Sequence, residues 1–265
     1  MKYKVGFIGC GNMASAIIGG LKAHAGIDAS EIIAADASEA AREKAKETLS
    51  ICTTASNTEV STQADVLFLS VKPQYYETVI AEIQPTLPAG QIIVTIAACK
   101  TLAWLGERLG DVKIVRTMPN TPALVGEGIT GVCKNNLVTE DEFAYVLKLR
   151  SSFGLAEAIP ESLMDAVVSV SGSSPAYVFL FIEAMADAAV ADGMPRAQAY
   201  KFAAQAVLGS AKMVLETGKH PAELKDMVCS PAGTTIEAVR VLEEKGFRGA
   251  VMDAMKACTA KAKGI

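Results

Sequence analysis

The stretch from Val5 to Ala14, Val-Gly-Phe-Ile-Gly-Cys-Gly-Asn-Met-Ala, constrains the fold of this 265-residue chain more than any other. It has the form of an apolar strand, a glycine turn and the first turn of a helix. Gly9 permits a tight exit from the strand, Gly11 lets the backbone approach a pyrophosphate, and Ala14 is the small residue that helix-strand packing wants. Unpaired N–H groups at the helix start then face the anion. Such turns also serve purely structural ends, but the context favours a dinucleotide. The turn follows a short apolar run and precedes a helix face of small residues, Ala16 to Leu21. A second apolar run, Ile32 to Ala35, ends at Asp36, at a spacing somewhat longer than the usual interval of about 20 residues to the group that meets the adenine ribose.

From Val5 to about Val115 short β-rich runs alternate with helical patterns, which is the signature of a doubly wound, mostly parallel sheet. Strands are expected over 5–8, 32–36, 51–53, 66–71, 92–95 and 113–116, and helices near 12–23, 38–48, 74–84 and 101–109. A short strand near 129–133, a helix near 140–152 and an edge strand near 155–158 complete a first domain, 1–160. Around Pro160-Glu161 strand signals stop and alanine-rich helical patterns take over, giving a second, all-α domain over 161–265. Its helices are expected near 161–170, 175–192, 195–217, 220–228, 233–245 and 247–262.

Ligands of such a sheet gather beyond the carboxyl ends of its strands. After the second strand, Asp36 could accept bonds from ribose hydroxyls and repel the extra phosphate of NADP; Arg42 and Ala14 lean the other way, and a helix cap is the plain alternative. After the fourth, Ser70-Val71-Lys72-Pro73 offers Lys72 to cofactor hydroxyls or to solvent. After the fifth, Ile96-Ala97-Ala98 leaves room for a planar ring or for helix packing. After the sixth, the stiff loop Arg116 to Pro122 can present Asn120 and Thr121 to a ligand. In the helical half, Ser230-Pro231-Ala232-Gly233-Thr234-Thr235 offers helix-start N–H groups to a carboxylate, with threonine capping as the alternative. Ser171-Gly172-Ser173-Ser174-Pro175 is expected to break two helices in the same way.

Composition excludes several classes. With 29 acidic and 25 basic residues and no long basic run, the chain lacks the means to neutralise a nucleic-acid backbone. The segment Pro175 to Ala191 carries Glu183 and Asp187 and is expected to fall short of a membrane span. Six cysteines lie scattered without a C-x-x-C pair, so no metal site is expected. Met1 to Lys4 leads straight into a strand and is not read as a signal peptide, which makes a soluble cytoplasmic protein the expectation.

Taken together, Gly6 to Met13, Ser70 to Pro73, Arg116 to Pro122, Ser171 to Tyr177 and Ser230 to Thr235 closely resemble the pyrroline-5-carboxylate reductase family, in order and spacing, over nearly the whole chain. The resemblance implies a Rossmann domain followed by a helical dimerisation domain. It implies a homodimer, with larger rings of dimers common in the family, and an active site where cofactor from one subunit meets the helical domain of its partner. By matched position the cofactor, NADPH with NADH as the alternative, would be contacted by Ile8, Gly9, Cys10, Gly11, Asn12, Met13, Asp36, Asn57, Ser70, Val71, Lys72, Pro73, Ile96, Ala97 and Ala98. Gly233, Thr234 and Thr235 would hold 1-pyrroline-5-carboxylate, with Glu161 close by and Thr235 as the catalytic group. Ser174 departs from the usual glycine of that block, and Met227 replaces a polar contact of some relatives.

Reduction of a cyclic imine to proline needs a hydride at carbon and a proton on nitrogen that solvent can supply, so no dedicated acid is required. The two histidines, His24 and His220, both fall outside the candidate loops. That weakens the alternative of a hydroxy-acid dehydrogenase, which needs a general base; Lys72 keeps it open. A non-catalytic dinucleotide sensor is the remaining alternative, and it has no use for a carboxylate site in the 230–235 loop.

Overall fold

The computed structural model describes residues 2–263. Eight strands form one sheet: β1 Tyr3–Ile8, β2 Ile32–Ala35, β3 Cys52–Thr54, β4 Ala64–Leu69, β5 Ile92–Thr95, β6 Lys113–Met118, β7 Gly128–Lys134 and β8 Gly154–Ala158. Twelve α-helices follow in chain order: α1 Asn12–His24, α2 Glu39–Leu49, α3 Asn57–Gln63, α4 Tyr76–Ile83, α5 Leu102–Leu109, α6 Glu140–Arg150, α7 Met164–Val167, α8 Ser174–Ala191, α9 Arg196–Thr217, α10 Pro221–Val228, α11 Thr234–Glu244 and α12 Phe247–Ala262.

The sheet order is β3-β2-β1-β4-β5-β6-β7-β8. Pairing is parallel except between β6 and β7. From β1 the chain first winds outward to β2 and β3, then returns to β4 and winds the other way. The reversal leaves a crevice beside β1, the position where open α/β sheets hold ligands. This is the doubly wound fold expected from the alternating pattern.

The strands read as near-continuous apolar runs because both faces of the sheet are covered. On one face Phe7 and Phe68, stacked at 4.8 Å, pack with Ile17 and Leu21 of α1 and Val146 and Leu149 of α6. On the other, Ile8, Leu67 and Leu69 pack with Val60 of α3, Val79, Ile80 and Ile83 of α4, and Leu105 and Leu109 of α5. The helix α3 was not expected. Its sequence, Asn-Thr-Glu-Val-Ser-Thr-Gln, is poor in strong helix formers, but Ser56 caps it by accepting from the Glu59 N–H and Val60 is fully buried.

By its internal contacts the chain forms two compact units, 1–173 together with 258–265, and 174–257. The change in sequence grammar falls at 160/161 and the change in contacts at 173/174. The difference has a cause in the first unit: Glu161 pairs with Arg116 on β6 at 2.8 Å, Met164 and Val168 are buried, and Asn120 donates to the Ser171 carbonyl at 3.2 Å. The expected break at Ser171–Pro175 takes the form of a bend at Ser173 rather than an open loop. A turn of π-helix over Val168–Gly172 carries α7 into α8, giving one helical run, Glu161–Ala191, of 31 residues. By length and composition alone that run, longer than the 175–191 segment, is apolar enough to cross a membrane, a test that core helices also pass.

The second unit is helical throughout, with α8 and α9 as its long elements. Many of its large apolar side chains face outward, among them Leu180, Phe202, Leu215 and Val228, each more than three-fifths exposed.

Candidate active site

Register alone assembles the first half of the site. Ala35 of β2 pairs with Ile8 of β1, Ile8 with Leu69 of β4, and Leu69 with Thr95 of β5. The next residue on each strand therefore lies in one row, Asp36, Gly9, Ser70 and Ile96, along the carboxyl edge at the crevice. Four segments expected at the cofactor, far apart in sequence, are thus brought side by side.

Gly9 lies at φ +104°, and a Cβ there would stand 2.8 Å from the Ser70 carbonyl oxygen. Ser70 in turn secures the turn: its hydroxyl donates to the carbonyls of Ile8 and Gly9 at 3.0 and 2.9 Å, and its N–H to Ile8 at 2.9 Å. In front of Gly11 the opposite holds, because a Cβ there would meet nothing within 4 Å. Gly11 is the N-cap of α1, whose first intrahelical bond runs from Ser15 N–H to the Gly11 carbonyl. The N–H groups of Asn12, Met13 and Ala14 thus lie in the orphan first turn beside open space, which is the form a pyrophosphate cradle must have. The chain fits a dinucleotide here.

A cleft of about 570 Å³ opens at this edge. Its walls include Ile8, Gly9, Gly11, Asp36, Asn57, Ser70, Val71 and Lys72 of the expected set. They also include Tyr75, Thr78, Val79 and Glu82, which the sequence reading missed. The signal was present in their spacing, which puts them on one face of the helical segment after β4. Asp36 is not the cap of α2. Ser38 fills that position, accepting from Ala41 N–H, while the Asp36 carboxylate accepts from Cys10 N–H at 2.8 Å and Ser38 N–H at 2.9 Å. Asn57 donates to Glu82 at 2.7 Å across the cleft.

Other expected residues lie outside these walls. The Cys10 thiol turns back toward the Ala35 carbonyl, and burial, reinforced by the Asp36 charge, pushes it up to about 12. The Met13 side chain packs on the core with Ile96, Ala97 is buried, and Pro73 opens an exposed 3₁₀ turn. Met13, Ile96 and Ala97, with side chains packed into the fold, offer backbone rather than side chains, whereas Asn12 is exposed. The Ile96–Ala98 loop is shaped from below. Buried Arg150, between the rings of Phe68 and Phe153, donates to Thr117 Oγ1; Thr117 donates to the Thr95 carbonyl at 2.7 Å; Thr95 Oγ1 accepts from Ala97 N–H at 3.2 Å and pairs with Tyr76 at 2.8 Å. Burial lowers the Arg150 guanidinium to about 9, so it stays charged at neutral pH.

Glu161 lines a separate polar recess of about 360 Å³ with Cys99, Thr101, Arg116, Ser162 and Asp165. Its Oε1 accepts from Arg116 and from Leu102 N–H at 2.7 Å. Asn120, expected to face a ligand, is buried and spends both ends of its amide on the chain, donating to Ser171 and accepting from Ile129 N–H at 2.9 Å. It holds loops together.

In the second unit the 230–235 loop is a tight turn, closed by Gly233 N–H to the Ser230 carbonyl at 3.0 Å. A Cβ on Gly233 would stand 2.3 Å from Ser230 Oγ and 3.1 Å from the Ser230 carbonyl oxygen, so a larger residue would have to turn the serine side chain aside. Gly233 is the N-cap of the eleven-residue α11 and supplies no side-chain bond. Thr234 and Thr235 occupy the first two helical positions, which removes threonine capping as their explanation and leaves N–H groups and hydroxyls together at a helix start.

Residues 161–265 match the family described as pyrroline-5-carboxylate reductase dimerisation, and residues 4–99 match NADP oxidoreductase, coenzyme F420-dependent. Pyrroline-5-carboxylate reductase of Escherichia coli is 56% identical, covering 100% of this chain and 99% of its own length. The chain belongs to the pyrroline-5-carboxylate reductase family. Among solved structures, the pyrroline carboxylate reductase of Plasmodium falciparum with NADP bound superposes with a TM-score of 0.90 at 32% identity, covering 100% of this chain and 98% of that one. The Coxiella burnetii pyrroline-5-carboxylate reductase gives 0.91 at 34% over the same shares. Pyrroline-5-carboxylate reductases are NAD(P)H-dependent, and the cleft at the glycine turn suits that cofactor class.

Proposed function

We infer that the chain reduces 1-pyrroline-5-carboxylate to L-proline with a reduced nicotinamide dinucleotide, the last step of proline biosynthesis. The observation that carries this reading is the match to the E. coli reductase from end to end, which takes in both the cleft and the 230–235 loop. The cofactor supplies a hydride to the carbon of the C=N bond. This chain's own residues bind and orient. The orphan N–H groups of α1 hold the pyrophosphate, Asp36 and Asn57 bound the adenosine end, and Ser70 keeps the glycine turn in shape. N–H groups of Thr234 and Thr235, freed by the Gly233 turn, fix the substrate carboxylate, and the Thr235 hydroxyl hydrogen-bonds near the ring nitrogen, whose proton comes from solvent. Glu161, already bonded to Arg116, serves the site by holding the segment at the end of β6 rather than by moving a proton.

The second unit makes a homodimer, which the exposed apolar side chains of its helices support. Six free cysteines suit a reducing compartment, and we place the enzyme in the cytoplasm. Thr235→Ala is expected to lower kcat about 10- to 100-fold while leaving the dissociation constant of the reduced dinucleotide within about twofold. Loss of absorbance of the reduced cofactor with pyrroline-5-carboxylate, beside a fluorescence titration of cofactor, measures both; unchanged kinetics would remove Thr235 from the chemistry.

A further inference from the structure

The glycine turn holds the part common to NADH and NADPH; the two differ in one group, the phosphate on the 2′ oxygen of the adenine ribose. What lies at the end of β2 therefore decides between them. We propose that Asp36 makes this cleft selective for NADH over NADPH. The proposal rests on the reading of the cleft as the cofactor site.

Asp36 is fixed, not swinging. One carboxylate oxygen accepts from Cys10 N–H at 2.8 Å and the other from Ser38 N–H at 2.9 Å. A carboxylate has about four acceptor positions, so each oxygen keeps a lone pair for one of the two ribose hydroxyls. A 2′-phosphate in the same place sets acceptor against acceptor and an anion of about two charges against another anion.

The cations that could offset this repulsion are turned onto the backbone or distant. Arg42, one helical turn on, gives its Nη1 to the carbonyls of Asp36 and Ala37 at 2.7 and 3.2 Å and is not part of the cleft wall. Lys72 does line the cleft, but it follows β4, and β1 lies between β4 and β2. Two strand spacings, about 10 Å, separate those strand ends. A second acid, Glu82, lines the same cleft and is held by Asn57 at 2.7 Å. The small residue Ala14 is fully buried against the core, so its size serves helix packing and is silent about the 2′ position.

The test is binding by the full chain without pyrroline-5-carboxylate, so that it is independent of turnover. NADH and NADPH are titrated by nucleotide fluorescence, and ADP-ribose and its 2′-phosphorylated form by calorimetry. NADH and ADP-ribose are expected to bind about tenfold or more tighter than their 2′-phosphorylated partners, since like-charge contacts discriminate strongly. Asp36→Asn keeps the shape and an acceptor and is expected to bring the ratio within about threefold of unity; Asp36→Ser is expected to invert it. Equal or tighter binding of NADPH by the unsubstituted chain overturns the proposal and leaves the reductase intact. A ratio that survives both substitutions overturns the assignment to Asp36. Binding of neither dinucleotide overturns the cofactor site and the selectivity together.

Discussion

Gly9 and Ser70 depend on each other. The glycine has a left-handed backbone and no room for a Cβ, and the serine hydroxyl bonds the consecutive carbonyls of Ile8 and Gly9 at the start of the turn. Gly9→Ala is therefore expected to cost about 1–3 kcal/mol of stability and to weaken dinucleotide binding far more than substrate binding. Urea unfolding and cofactor titration of the same variant check the two effects. At this scale the sequence was most legible where chemistry dictates a residue type locally, as at Gly9, Gly11 and Asp36. It was least legible where a partner is distant. Asn120 looks like a ligand-facing residue in its proline-bounded loop, because its partner Ser171 lies 51 positions on. At Gly233 the neighbour that crowds the position, Ser230, stands three residues earlier and is visible in the loop itself.

Among elements, β5 falls on the expected residues, 92–95, since Gly90 before it and the small residues after it punctuate an apolar run. The helix α3 escaped because capping and one buried valine, not propensity, sustain it. The break foreseen at Ser171–Pro175 is a π turn ending at Gly172 and a bend at Ser173. Proline stands at the second position of α8, where its missing N–H costs little. The antiparallel pair β6–β7 is tied to α6 by the Lys113–Glu142 bond, and Glu142 also accepts from Thr139 N–H at 3.0 Å. The Lys113 contact first, and the Thr139 bond next, hold the Glu142 carboxyl below its ordinary range. Its contribution is therefore complete above the unfolded value of about 4.3 and is lost as pH falls through the folded one. Glu142→Gln is expected to lower the urea midpoint at pH 7, with the gap to the parent chain closing as the pH falls below the ordinary carboxylate range; a gap that persists in acid would assign the loss to packing.

For the whole molecule, the outward apolar side chains of residues 174–257 are the feature that a single copy leaves unexplained. Phe202 and Leu215 on α9 are 68% and 72% exposed, and a second copy accounts for them, as larger apolar patches mark interaction surfaces. A Phe202→Glu, Leu215→Glu double variant is expected to sediment as a monomer while its first unit still binds cofactor; an unchanged sedimentation coefficient would place the interface elsewhere. The division into an α/β part and a helical part was legible from composition, but the course of the chain between them was not. Residues 258–263 return to the first unit, where Thr259 donates to Ser169 at 2.9 Å and Cys258 meets Ser173 at 3.3 Å. The nucleotide-binding unit is consequently not severable by one cut. A stop codon after Ser173 would strip it of its own final turn of helix, so an autonomous version has to be spliced, with 258–263 joined back by a linker in place of the excised bundle.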